Sequence, residues 1–255
     1  MTRTDIYKGT NYNVELIVRG SGSSGNQTII RDLISGKELI LDAGLMPEGS
    51  LDNAVGVCLT HCHRDHSRYL SYYNLPIYGT KEELNNERVG EQYSVACRQP
   101  DFNYVKSEDV YRLGPFSVMP LRAIHDTPNP VHFWVAVNGF RFFYSCDTVE
   151  YPYYHIRLDE CFHKSDIIMV DCNYVRWFMD NDSYVKNPYP EELKERIRQT
   201  GHASMEHIKS RFETHEEKLI LGHLSTLYNN KNYLRNRFKV TAIAHNDYCP
   251  IHIHL

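Results

Sequence analysis

Thr60-His61-Cys62-His63-Arg64-Asp65-His66 places four metal-ligating side chains, three imidazoles and one carboxylate, within six residues. His61 and His63 are two apart on an extended segment just beyond the apolar run 54–60, so both imidazoles can point at one ion. Asp65 and His66 fall where the chain turns into a helix and can serve a second ion nearby. Neutral imidazole with carboxylate is a ligand set that zinc, manganese and iron accept. A solvated His-rich loop is the plainer alternative, and four ligand types at this spacing speak against it. Cys62 sits between two ligands on the opposite alternation and is read as inert.

Strands must position these groups. Val14, Leu16 and Val18 alternate onto one face, and the small-residue segment 20–25 leads to Thr28-Ile29-Ile30. A third strand, 38–42, ends at Ala43-Gly44, and 54–60 is a buried strand that runs straight into His61. Segments 133–137 and 140–145 flank Asn138-Gly139, the strongest short hairpin signal. Segments 167–170 and 219–223 are further strands, and 240–244 reads as the last. Pro190 with acids in the first turn predicts a helix over 190–197. Ser204 caps another that runs to about Phe212. Hairpins followed by strand–helix alternation indicate sheets packed together with helices outside. No linker or repeat interrupts them, so one domain over residues 1–255 is expected.

With 255 residues, 42% hydrophobic and 24% charged, the composition excludes a disordered or coiled-coil chain. No stretch approaches the roughly 18 apolar residues of a membrane helix, and the opening MTRTDIYKGT lacks a signal peptide's apolar region. A cytoplasmic protein with no membrane partner is expected. The net charge of −4 supplies no basic field for long nucleic acids. Seven Cys without a CxxC pair indicate neither a disulfide framework nor a Cys-rich zinc module. The excess is in His, of which there are 14.

HxHxDH after a buried strand is the hallmark of the metallo-β-lactamase superfamily, which this chain resembles over nearly its whole length. Later ligand motifs follow in that superfamily's order. They are His125 in Ile124-His125-Asp126-Thr127-Pro128, Asp147 in Tyr144-Ser145-Cys146-Asp147-Thr148, and His223 in Leu221-Gly222-His223-Leu224-Ser225. The resemblance implies an α/β fold, a four-layer αββα sandwich of two mixed sheets flanked by helices. It implies that His61, His63 and His125 hold one divalent ion, that Asp65, His66 and His223 hold a second, and that Asp147 bridges them. Zinc is the first expectation and manganese the alternative.

Within the superfamily the chain is most similar to YycJ/WalJ-type hydrolases. Ser21-Gly22-Ser23-Ser24-Gly25-Asn26 matches their SGSSGN loop. Asn187-Pro188-Tyr189-Pro190 with Leu193-Lys194 and Arg196-Ile197 is similar to their GPYP…LK.RI segment, and His223-Leu224-Ser225 with Asn229-Asn230 to their HLS..NN. That group resembles RNase Z-type tRNA 3′-processing nucleases and phage anti-Pycsar enzymes, which cleave cyclic nucleotides. The chain departs from the group at Asn173-Tyr174, where Asn-His is usual, and at His132 and Cys146, where Gly is usual. His202, in Gly201-His202-Ala203-Ser204, aligns with a His of RNase Z-type enzymes that looks like a proton donor. General acid to the leaving oxygen is the functional reading, and packing near a helix start is the structural one.

The implied function is a dinuclear metal-dependent phosphodiesterase that hydrolyses nucleotide phosphodiester bonds through a metal-bound hydroxide. Asp65 would orient that nucleophile while holding metal. The substrate is a cyclic nucleotide or a nucleic-acid end: the acidic charge favours a compact substrate, the YycJ/WalJ likeness an exonuclease. A thioesterase or amidase-type metallohydrolase of the same fold, and a non-catalytic metal-binding module, are the alternatives. All seven expected ligands are present, which speaks against the latter. Relatives of this kind often form homodimers in which a partner's loop helps close the pocket.

Other features take structural readings. The loop 20–25 joins two strands rather than opening a helix, so it is a tight turn and not a phosphate cradle. Tyr151, Tyr153 and Tyr154 can stack on a base, though packing is favoured. His252 and His254 alternate on a strand-like tail as structural or exposed residues.

Overall fold

The computed structural model describes residues 3–4, 12–97, 99–145, 147–244 and 251–255. Strands β1 (Arg3–Thr4), β2 (Val14–Gly20), β3 (Gln27–Asp32), β4 (Glu38–Leu41), β5 (Ala54–Cys58), β6 (Ile77–Gly79) and β7 (Phe102–Tyr104) come first. They are followed by β8 (Tyr111–Leu113), β9 (Phe116–Arg122), β10 (Val131–Val137), β11 (Phe140–Tyr144), β12 (Ile167–Asp171), β13 (Leu219–Gly222), β14 (Ala242–Ile243) and β15 (Ile251–His254). An eight-stranded sheet has the order β1-β15-β2-β3-β4-β5-β6-β7, and a seven-stranded sheet β14-β13-β12-β11-β10-β9-β8. Both are mixed. β15-β2-β3-β4 pair antiparallel and β4-β5-β6-β7 parallel. β8-β9-β10-β11 pair antiparallel and β11-β12-β13-β14 parallel.

Eight short α-helices accompany them among the described residues: α1 (Arg64–Ser67), α2 (Lys81–Leu84), α3 (Glu87–Ala96), α4 (Ile156–Lys164), α5 (Arg176–Asp180), α6 (Glu191–Arg196), α7 (Met205–Arg211) and α8 (Lys231–Arg235). Three apolar layers make this a four-layer αββα sandwich. Between the sheets, Val14, Leu16, Val18 and Leu41 meet Phe133, Phe142, Met169 and Ile220. Outside the first sheet, Ile40, Val57 and Ile77 lie under Leu84, Val89 and Tyr93. Outside the second, Phe143, Ile168 and Leu221 lie under Leu158, Phe162, Ile208 and Phe212. A central strand covered on both faces needs apolar residues on both, which is why β5 and β12 are near-continuous apolar runs.

The Asn138-Gly139 turn forms as expected, with both residues at positive φ, 50° and 83°. Ser204 caps α7 by accepting the His207 N–H. The helix expected over 190–197 starts one residue later, with Pro190 as its cap, and continues through a wide π-type turn to Gly201. Two strand expectations are corrected. The strand over 38–42 stops at Leu41, because Asp42 turns into the left-handed region at φ 62°. The segment 240–244 keeps only two paired residues, and it is not the last strand: β15 follows it and returns to the other sheet, between β1 and β2. No helix among the described residues is long and apolar enough to cross a membrane.

Candidate metal centre

β4 and β5 run parallel, as do β9, β11, β12 and β13 through their pairings, and each of the six is followed at its C-terminal end by polar residues. Asp42 follows β4, His61 and His63 follow β5, and His125 lies in the turn after β9. Asp147 follows β11, Asp171 closes β12, and His223 follows β13. Crevices beyond the carboxyl ends of strands are where such sheets gather their ligand-binding groups.

The ligand-capable atoms of His61, His63 and His125 lie within 4.8 Å of one another, as do those of Asp65, His66, Asp147 and His223. The first three rings meet edge to face, with centroids 4.8–4.9 Å apart. His125 Nδ1 donates to the Gly201 carbonyl at 2.7 Å, so its Nε2 lone pair faces His63 Nδ1 at 3.1 Å. Asp147 stands between the two groups. Its Oδ1 is 3.2 Å from His66 Nε2, and its Oδ2 is 3.2 Å from His223 Nε2 and 3.9 Å from His61 Nε2. Asp65 Oδ2 lies 3.3 Å from His223 Nε2 and 3.7 Å from His66 Nε2. All seven residues named from the sequence therefore converge.

Buried neighbours fix their orientation. Asp42, fully buried, accepts hydrogen bonds from the Thr60 N–H, the Thr60 hydroxyl, His66 Nδ1 at 2.7 Å and the Tyr144 hydroxyl at 3.0 Å. The bond to His66 puts that ring's proton on Nδ1 and turns Nε2 toward Asp147. Glu83, also buried, accepts from the backbone N–H groups of Cys62 and Asn129, tying the two loops that carry His61, His63 and His125. The loop 20–25 is the tight turn expected and reaches the centre from both ends. Asn26 Nδ2 donates to Asp65 Oδ2 at 3.2 Å and lies 2.9 Å from His66 Nε2, while Ser21 Oγ accepts from the His223 N–H. That contact accompanies a left-handed His223, φ 51°. Gly44 must lack a side chain, because a Cβ there would lie 1.7 Å from the Asp65 carbonyl oxygen.

The charges differ between the two groups. Burial holds His61 well below its ordinary range, with His66 adding repulsion. Burial and the neighbouring His125 bring His63 down to about 4, and burial also lowers His125. These three are neutral rings with lone pairs facing a common space, which is what a divalent cation requires. In the other group, burial opposes charge but is overcome. Asp147, Asp42 and Asp65 hold His66 well above its ordinary range, and Asp147 and Asp65 bring His223 up to about 9. Asp147 stays ionised against its own burial because His223 and His66 flank it. The donor set thus fits two divalent ions, the second taking the place of protons on His66 and His223. Metal uptake at pH 7 is accordingly expected to release about two protons per chain. Calorimetry in buffers of different ionisation enthalpy measures this, and uptake without proton release would mean that His66 and His223 are already neutral in the metal-free protein.

Residues 36–223 match the beta-lactamase superfamily domain, a span that ends on His223. The chain belongs to that superfamily. Among solved structures of the fold, Zn²⁺-bound PqqB from Methylobacterium extorquens aligns at TM-score 0.67 and 12% identity, over 93% of this chain and 99% of that one. Human tRNase Z, short form, aligns at 0.62 and 14%, over 93% and 98%. A diphosphatase of the PhnP family aligns at 0.61 and 16%, over 94% and 96%. At these identities the likeness speaks for the beta-lactamase fold alone. No curated protein sequence matches the chain.

Three acids at this superfamily site were not singled out from sequence. Asp42 is one. Asp171 accepts from His202 Nδ1 at 2.8 Å and from the Thr148 N–H, and its Oδ1 is buried without a hydrogen-bond partner among the described residues. Asp126, beside His125, lies 3.2 Å from His125 Nε2 and is paired with Arg196. His202 stacks on His223 with ring centroids 4.6 Å apart, and Asp171, His202 and His223 form a further group able to hold an ion.

The structural readings also have their places. Cys62 is buried, and burial with Glu83 beside it pushes the thiol up to about 12. Tyr151 is buried against Phe162 and Phe212, whereas Tyr153 and Tyr154 are exposed. His132 is buried, and that burial brings it down to about 3. Tyr174 packs with Met179, Ile197 and Tyr228. His252 and His254 flank Glu15 at 2.9 and 3.7 Å. Cys146 lies outside the described residues.

Proposed function

We propose that this superfamily member is a dinuclear metal-dependent phosphodiesterase acting on nucleotide phosphodiester bonds, with residues 1–255 as one hydrolase domain. His61, His63 and His125 hold one ion, Asp65, His66 and His223 hold the other, and Asp147 is shared. The observation that carries this reading is the position of Asp147, with Oδ2 3.2 Å from His223 of the second group and 3.9 Å from His61 of the first. Two divalent ions, zinc first and manganese as the alternative, would supply an ionised water near neutral pH and positive charge beside the phosphoryl oxygens.

The chain's own residues do the rest. Asp65, anchored by Asn26, accepts a hydrogen bond from the attacking water and so orients it. His202 stacks on His223 with Nδ1 held by Asp171, leaving Nε2 to give a proton to the departing oxygen. Support for a phosphodiester comes from the structural likeness to a tRNase Z and a PhnP-family diphosphatase. The part played by Ser21 and Asn26 supports the YycJ/WalJ-type likeness of the SGSSGN loop.

The test is turnover of bis-p-nitrophenyl phosphate, short DNA and RNA strands and cyclic mononucleotides with Zn²⁺ or Mn²⁺, beside a thioester. Phosphodiester turnover without thioester turnover is expected, and the reverse refutes the reading. His202→Ala should lower kcat on nucleotide substrates about 10²–10⁴-fold, the ordinary worth of a positioned acid. On bis-p-nitrophenyl phosphate, whose leaving group departs without a proton, the loss should be far smaller. An equal loss on both would assign His202 a structural role.

A further inference from the structure

Beside the metal centre runs a groove of about 580 Å³ between α1 and α3, lined in part by Arg64, Arg68 and Arg88. Arg64 and Arg68 are four residues apart, so they share one face of the α1 turn. On α3, Arg88, Gln92 and Val95 follow at i, i+4 and i+7 on a stripe that flanks the buried Val89 and Tyr93. The groove therefore lies where one face of α1 meets this flank of α3. Arg64 is bonded to both His63 and Asp65, so the groove's lining includes the chain neighbour of two residues of the centre.

The groove is locally positive. Arg19, Arg31, Arg196 and Arg211 each meet a carboxylate. Arg64, Arg68 and Arg88 form no ion pair among the described residues, and Arg68 reaches only the Ser24 carbonyl, at 3.4 Å. Glu91 is the one acid on the lining. Three guanidiniums against one carboxylate, in a protein of net charge −4, concentrate positive charge at one place. Tyr72, 56% exposed, belongs to the same lining.

We propose that this groove binds the strand of a single-stranded nucleic acid flanking the scissile bond. Guanidiniums pair with phosphates in a bidentate fork, and three along one groove suit successive phosphates rather than the single phosphate of a cyclic mononucleotide. Tyr72 offers a face on which a base stacks. The proposal rests on the phosphodiesterase reading and selects, within it, a polynucleotide end over a compact substrate.

The experiment measures binding, separately from turnover. A fluorescein-labelled DNA strand of about six nucleotides is titrated with the full chain in EDTA and followed by anisotropy at several salt concentrations. Three phosphate contacts give a slope of log affinity against log salt near −2, at about −0.7 per contact for single strands. Each of Arg64→Gln, Arg68→Gln and Arg88→Gln should flatten that slope by about 0.7, and the triple variant should bind at least about tenfold more weakly at low salt. Lys164→Gln, on α4, should bind as the parent does. Equal affinity and slope in the triple variant, or a cyclic mononucleotide bound as tightly as the strand, would overturn the proposal. Arginine-dependent binding in a protein that hydrolyses no phosphodiester would support the groove and refute the phosphodiesterase reading. Hydrolysis without arginine-dependent strand binding would do the opposite.

Discussion

Asp147→Ala is expected to lower kcat/KM on any phosphodiester by about 10³-fold or more, which is about 4 kcal/mol of transition-state stabilisation at 1.36 kcal/mol per tenfold. The size of the loss follows from geometry. Asp147 is the buried carboxylate whose two oxygens contact His66 and His223 and approach His61, so it joins two groups of ligands that are otherwise separate. Without it, the first group has no anionic ligand and the second keeps only Asp65, so less negative charge offsets two dications held close together. Bound metal should fall below two ions per chain, while far-ultraviolet circular dichroism stays that of the parent. Asp147→Asn keeps the shape and removes the charge, and should recover little of the loss. Parent-like turnover with two ions bound would place the bridging role elsewhere.

Asp42→Ala should have the largest effect on stability, about 3–5 kcal/mol, in the range found when one partner is removed from a buried charged pair. The carboxylate is fully buried and accepts four hydrogen bonds: two from Thr60, one from His66 and one from Tyr144. Truncation removes the buried acceptor that these four donors share, and a chain of this size should melt about 10 °C lower. Asp42→Asn separates the two roles. Asparagine tolerates the left-handed backbone at φ 62° and still offers one acceptor oxygen, so much of the stability should return. It no longer favours a proton on His66 Nδ1, and metal affinity should still fall about 10–100-fold. Thermal melts and metal titrations of the two variants measure this. Asp42→Ala melting with the parent would contradict it.

The contrast between Asp147 and Asp42 shows what a sequence can disclose. His61, His63, Asp65 and His66 are adjacent in the chain, so their spacing alone describes a site, and His125, Asp147 and His223 each follow a strand in an order that a known superfamily supplies. Asp42, Glu83 and Asp171 act on the same centre but are scattered singly. Asp42 merely ends a strand pattern, and Glu83 lies on a four-residue helix that shows no periodicity. What each does depends on which loop the fold brings beside it. The same limit applied to the fold. Strands buried on both faces and the Asn138-Gly139 hairpin were legible, because their patterns are local. β6, β7 and β8 are three residues long, too short for an alternation to show. The groove arginines were hidden for a related reason: net charge averages over the chain, whereas α1 and α3 bring three cations together.

The central claim is most directly tested by anomalous scattering at the zinc edge from crystals grown with Zn²⁺. Two peaks are predicted, one among His61, His63 and His125 and one among Asp65, His66 and His223, with Asp147 touching both. A single peak held by Asp171, His202 and His223, or no peak near Asp147, would contradict it.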